Sequence, residues 1–151
     1  LFLRSAALAV RAGLSRETIA EPAVMSSLWS ADSNGRSRNR LESWASAEGP
    51  DDAAVRMTAS VGRLTECYAA LDGWDAQEIV RPGIDAAWQF QHNPQGTDSS
   101  VETIVYARRE GVLSLVWIEG DDAAWAPTRI EDIVSEMLDR LAVADLPAVA
   151  T

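Results

Sequence analysis

His92 is the only histidine in the chain and Cys67 the only cysteine. Any imidazole-based proton transfer must therefore use His92. A Ser–His–Asp triad also needs an activated serine, and no Gly-x-Ser-x-Gly turn supplies one. His92 comes after a strand-like run and precedes Asn93-Pro94, which predicts a solvated position in a surface loop. One thiol and one imidazole fall short of the ligand set that zinc takes. Cys67 has no His or Lys neighbour in sequence to favour its thiolate, so it reads as an inert packing residue.

The carboxylates give two further candidates. Asp51-Asp52 could form a pair for acid–base work, but at the start of a helical pattern they read as capping residues favoured by the helix dipole. Glu119, Asp121 and Asp122 could offer clustered oxygens to calcium, yet the spacing is not that of an EF-hand, and a solvated acidic turn explains them. Phosphate-cradling glycine-rich loops are absent. The reading therefore assigns no catalytic residue, no metal ligand and no cofactor.

The aromatic residues carry the strongest hint of binding. There are six tryptophans, and Trp29, Trp74, Trp88, Trp117 and Trp125 could line a cleft between a sheet and its loops. Trp88 and Trp117 fall at strand positions and also suit a core. Trp29 and Trp125 fall in loop-like sequence, which suits a pocket rim or a protein contact. Arg108, beside Arg109 at a hairpin turn, could hold an anion or simply keep the turn solvated. The candidate ligand-binding residues are thus Trp29, Trp88, Trp117, Trp125 and Arg108.

Charge narrows the partners. The 151 residues carry a net charge of -10, and all 13 basic residues are arginine. Such a surface repels a phosphate backbone, so no nucleic-acid partner is expected. The stretch Ala12 to Ala20 resembles the turn and second helix of a helix-turn-helix, but Pro22 truncates it. No apolar run approaches the roughly 18 residues of a membrane span. Beginning at Leu1 rather than Met, the sequence is expected to be a trimmed or processed product. Hydrophobic residues make up 47%, enough for a single globular domain of this length.

Elements must position these residues. Leu1 to Leu14 reads as a short helix that Gly13 can end. Ser26 to Asn39, rich in Ser, Asn, Gly and Arg, reads as a loop. Arg40 to Ala47 reads as a strand with Leu41, Ser43 and Ala45 on one face. Asp51 to Leu71 is predicted helical, since Ala54, Met57, Val61, Leu64, Tyr68 and Leu71 form one stripe. Strands come next at 76–81 and 85–92, and a hairpin joins Val101–Arg109 to Val112–Glu119 through Glu110-Gly111. The near-continuous apolar run from Val112 to Ile118 predicts a central strand covered on both faces. Pro127 opens a last helix to about Val143, with Ile130, Ile133, Val134, Met137, Leu138 and Leu141 on its apolar side. The order predicts an α+β fold: an antiparallel sheet of about five strands, two main helices packed on it, and a short N-terminal helix.

From Arg40-Leu41-Glu42-Ser43-Trp44, through the helix that ends in Thr65-Glu66-Cys67-Tyr68 and on to Gly73-Trp74, the chain resembles the extracytoplasmic sensor-like domains of actinobacteria. These occur at the C-terminus of certain mycobacterial membrane serine/threonine kinases of the PknH type and in related lipoproteins. The hairpin Ile104 to Leu115 and the closing helix from Pro127 to Leu141 look similar too. Where those kinase domains pair cysteines, Cys67 here stands alone. The resemblance implies a non-catalytic sensor or ligand-binding role and an extracytoplasmic placement. The expected function is accordingly a non-enzymatic module for a small-molecule ligand or a protein partner. The alternatives are a small α+β enzyme using carboxylates in an aromatic pocket, or an accessory subunit of a larger complex.

Overall fold

The computed structural model describes residues 23–31, 38–93, 100–121 and 125–145, with the backbone alone for 23–31 and Arg38. Six strands and two helices occur in the order β1 (Ala23–Ala31), β2 (Arg38–Ala47), α1 (Pro50–Ala69), β3 (Trp74–Glu78), β4 (Ala86–His92), β5 (Ser100–Arg109), β6 (Val112–Asp121) and α2 (Pro127–Val143). All strands pair antiparallel in one sheet ordered β1-β2-β6-β5-β4-β3. The chain leaves β2, crosses the sheet through α1 to the far edge, and returns as the meander β3 to β6 to pair with β2. The α+β architecture is the one the sequence pattern predicts.

β1 is the strand that the pattern does not predict. The stretch Ser26 to Asn39 reads as a loop by composition, yet nine residues from Ala23 to Ala31 form a strand. Serines are poor predictors there because pairing with β2, in register from Ala23 opposite Ser46 to Ala31 opposite Arg38, satisfies the backbone whatever the side chains. The N-terminal helix expected at 1–14, and the helix-turn-helix resemblance at 12–20, lie outside the described residues.

The two helices lie on opposite faces. α1 places Ala53, Met57, Leu64 and Tyr68 against Trp44, Phe90, Ile104, Tyr106, Leu115 and Trp117. α2 places Ile130, Val134, Leu138 and Leu141 against Ala87, Val101, Val105, Ala107, Val116 and Ile118. Alternate residues of β5 and β6 enter the two cores, because side chains alternate across a sheet. Covered on both sides, these central strands read as unbroken apolar runs.

Helix ends differ from the sequence expectation in one respect. Asp51 and Asp52 lie in the first turn of α1, but the N-cap is Gly49 and no side chain caps it. Pro50 starts the helix because its missing N–H would have had no partner there anyway. The Glu48 N–H donates to the Gly111 carbonyl at 2.7 Å, tying the start of α1 to the β5–β6 turn. A Cβ on Gly111 would lie 2.1 Å from the Glu48 carbonyl oxygen, so close approach requires glycine there. Among the described residues no helix is long and apolar enough to cross a membrane.

Candidate functional site

The residues with chemical potential converge on the α1 face. Successive strands place Arg40 opposite Glu119, Glu119 opposite Glu102, Glu102 opposite His92, and His92 opposite Trp74. One row of polar side chains therefore crosses the sheet, bounded by an aromatic. Arg40 occupies one end of this row. Its guanidinium pairs with Glu42 at 2.5 Å and Glu119 at 3.8 Å and lies 4.2 Å from the centre of the Trp117 ring. Trp117 in turn meets Trp44 edge to face at 6.1 Å.

This neighbourhood perturbs its ionisable groups. Burial pushes the Glu119 carboxyl above its usual range, the Glu42 charge adds to the effect, and Arg40 opposes it. Burial likewise raises the Tyr68 phenol far above its ordinary value, with help from the Glu102, Cys67 and Glu119 charges. A carboxyl kept from ionising can act as a proton donor. Here, however, the carboxylates are packed among core residues: Trp44, Trp117, Ile104 and Tyr68 are all buried. The Trp44 and Trp117 indole N–H groups and the Tyr68 hydroxyl have no hydrogen-bond partner among the described residues. The row reads physically as a buried polar seam with Arg40 as counter-ion.

His92 is corrected by the structure. It closes β4, within the strand expected at 85–92, but is only 9% exposed rather than solvated in a surface loop. Its Nδ1 lies 3.1 Å from the Ser100 carbonyl oxygen, and its ring tilts against Trp74 at 5.4 Å. It is buried because β3 and β5 both flank β4 there and Trp74 packs on its ring, which Asn93-Pro94 alone does not reveal. Cys67 is half-buried on α1. Among the described residues no group of three or more His, Cys, Asp or Glu is arranged to hold a metal ion.

The tryptophans and arginine singled out from sequence are dispersed over the fold. Trp117 is buried and Trp88 half-buried on the α1 face. Trp125, expected at a rim, is 4% exposed in the α2-face core. It donates its indole N–H to the Glu119 carbonyl at 2.9 Å, and Arg129 stacks over its ring at 4.8 Å. Gly120, at φ 151°, leaves it room, since a Cβ would lie 2.7 Å from its Nε1. Trp29 belongs to β1, opposite Arg40. Arg108 pairs with Asp85 at 3.1 Å and donates to the Glu110 carbonyl. Trp88 and Trp117 thus share a face with Trp74, while Trp125 lies across the sheet from them and Arg108 is engaged at the hairpin.

An open groove lies on the other face. It has a volume of about 530 Å³ and runs between β2, β6 and α2. Leu41, Val116, Ile133, Met137 and Leu141 supply apolar walls, while Ser43, Ala45 and Ser114 form part of its lining. The groove exists because α2 packs over β5 and β6 while small residues meet on the next strand pair, where Ala45 faces Ser114. Arg140 and Glu136 stand at its edge, paired at 2.5 Å. None of the aromatic candidates lines it. The sequence signal for it is the alternation Leu41, Ser43, Ala45, in which side-chain size falls along the strand face.

No protein-family model matches the chain. No curated protein matches it either. Among solved structures the chain is similar to PA94 of Pseudomonas aeruginosa, a protein of unknown function provisionally described as a regulator, with 13% identical residues, 87% of this chain and 88% of that chain covered, and a TM-score of 0.41.

Proposed function

We propose that this protein is a non-enzymatic, sensor-like binding module whose ligand is a small molecule with an apolar body, seated in the groove between β2, β6 and α2. The observation that carries the reading is the groove itself. Its 530 Å³ falls within the size range of small-molecule sites, and its make-up matches their usual pattern of apolar walls with a few polar groups. Ser43 and Ser114 offer hydroxyls inside, and the Arg140–Glu136 pair offers charge at the edge. The resemblance to extracytoplasmic sensor-like domains belongs to the same reading, and so does an extracytoplasmic placement.

The test is ligand occupancy with a blocked groove as control. Native mass spectrometry of protein purified from its own host should show a reproducible small-molecule increment. In solution, the groove should bind an environment-sensitive apolar dye such as anilinonaphthalene sulfonate. Filling it with Ser114→Leu or Ala45→Leu should weaken dye binding at least about tenfold, a loss of roughly 1.4 kcal/mol, with little change in the melting temperature. Dye binding that is unchanged in both variants, together with a bare native mass, overturns the reading. A mass that instead reports a complex with another protein moves the function to an assembly role.

A further inference from the structure

The groove has a direction. Leu41, Ser43 and Ala45 line it from β2, and Val112, Ser114 and Val116 line it from β6. Alternate residues of a strand share a face, so each row runs about 13 Å along the sheet. Ser43 stands opposite Val116 and Ala45 opposite Ser114, which sets the two rows side by side as a floor. From α2 come Ile133, Met137, Arg140 and Ala144, spaced to lie on one side of the helix over about 16 Å. Arg109, opposite Val112 in register, donates through Nη1 to the Leu141 and Ala144 carbonyls at 2.9 Å each. The end of α2 is therefore fixed at the Val112 end of the floor, and the helix runs along the floor as a wall. The 530 Å³ are drawn out into a trough rather than gathered into a rounded pocket.

The two ends of the trough differ. At one, Leu41 and Ile133 both pack against the α2-face core, and the lining is apolar. At the other, Ala45 and Ala144 leave room, and Arg140 brings a positive charge. Arg140 is paired with Glu136, but the two side chains are 78% and 62% exposed. A pair so exposed is worth little, so Arg140 can turn to a headgroup at small cost. Arg109 offsets the negative end of the α2 dipole, which would otherwise repel an anion there. Glu136, and the exposed Asp145 beside Ala144 in the chain, limit how much negative charge this end accepts. That balance favours a singly charged carboxylate, which an arginine can hold through two hydrogen bonds, over a doubly charged phosphate ester.

We propose that the ligand of the groove is a fatty-acid-like molecule, a single unbranched acyl chain with its methyl end between Leu41 and Ile133 and its carboxylate at Arg140. The inference rests on the reading that this groove is the binding site. Carbon–carbon bonds of about 1.5 Å advance an extended chain by about 1.25 Å each, so the trough holds about ten to thirteen carbons. The chain lies on the small residues Ser43, Ala45 and Ser114, and Met137 closes over it from the helix with a side chain that adapts its shape.

Displacement of anilinonaphthalene sulfonate from the full chain by straight-chain carboxylates, from octanoate to stearate, tests this. Affinity should rise about fourfold per methylene and level off near twelve carbons. Alcohols of the same chain length should bind about two- to fivefold more weakly, the span of an exposed ion pair. Arg140→Gln should remove that preference for the carboxylate and leave the alcohols unchanged, while Glu136→Gln should enlarge it. Ser114→Leu should block dye and carboxylates alike, with circular dichroism reporting that each variant keeps its fold. Dye that binds and is blocked by Ser114→Leu, yet is displaced by no carboxylate, overturns the inference and leaves the groove as a site for another ligand. So does affinity that ignores chain length, or a carboxylate preference that survives Arg140→Gln. A helical peptide that displaces the dye where no carboxylate does makes the groove a protein contact and also overturns it. Dye binding indifferent to Ser114→Leu and Ala45→Leu removes the groove reading and this inference together.

Discussion

The two faces of the sheet solve the same packing problem with different chemistry. On the α1 face the strands present large aromatics, Trp44, Phe90, Tyr106 and Trp117, together with the buried Glu42 and Glu102. That face is filled, and its cost is polar groups held away from water. On the α2 face the strands present branched aliphatics, Val101, Val105, Val116 and Ile118, which then give way to Ser43, Ala45 and Ser114. That face avoids buried charge but leaves space beside the helix. Tryptophan density, the most visible feature of the sequence, therefore marks the closed face, while the open groove lies where residues are small. Large aromatics fill volume, and a pocket needs volume left unfilled.

Substitutions can break or sharpen this contrast, starting with the largest effect. Phe90→Ala removes a fully buried ring from the α1 face and should cost about 3–5 kcal/mol, read by urea unfolding. Gly111→Ala should cost about 1–3 kcal/mol by forcing apart the α1 start and the hairpin, measured in the same way. Both losses should far exceed that of Ser114→Leu in the groove, which should stay within about 0.5 kcal/mol of the parent. Equal losses at Phe90 and Ser114 would mean that the α2 face is as closed as the α1 face.

Two smaller effects concern the polar seam. Tyr68→Phe deletes a buried hydroxyl that lacks a partner among the described residues and should be neutral or stabilising by up to about 1 kcal/mol. A clear loss of stability would show that the hydroxyl is engaged. Glu119→Gln addresses pH. Because burial raises the Glu119 carboxyl in the folded chain, that chain holds its proton more tightly than the unfolded one. Stability from this group is thus fully present below the ordinary value of 4.5 and is lost as pH rises through the raised one. The variant should lack this slope, so its stability relative to the parent should rise from pH 4 towards neutrality, as monitored by melting temperature. An unchanged slope places Glu119 in contact with water.

Much of the fold is legible in the sequence because its signals are local. The stripe from Met57 to Tyr68 specifies α1, and Pro127 with the Ile130-to-Leu141 spacing specifies α2. The hairpin at Glu110-Gly111 comes from two β-rich runs around a short turn. β1 is not legible, because a Ser-rich segment becomes a strand only when a partner strand satisfies its backbone. His92 falls within the strand expected at 85–92 but reads wrongly as solvated, because Asn93-Pro94 beside it in the chain suggest a surface turn while β3 and β5 beside it in space bury it. Trp125 looks exposed by sequence because it falls in a loop after Asp121 and Asp122, yet its indole N–H bonds the Glu119 carbonyl and its ring joins the α2-face core.

Composition and periodicity by themselves determined the charge, the helices, the central hairpin and the two-sided burial of β6, since each depends on residues near one another in the chain. Only the tertiary structure decided that Arg40, Glu119, Glu102 and His92 form one row, that the tryptophans divide between two faces, and that Ala45 and Ser114 meet to leave a groove. Those facts depend on strand order and register, which arise from pairing residues as far apart as β2 and β6, and no local pattern encodes them.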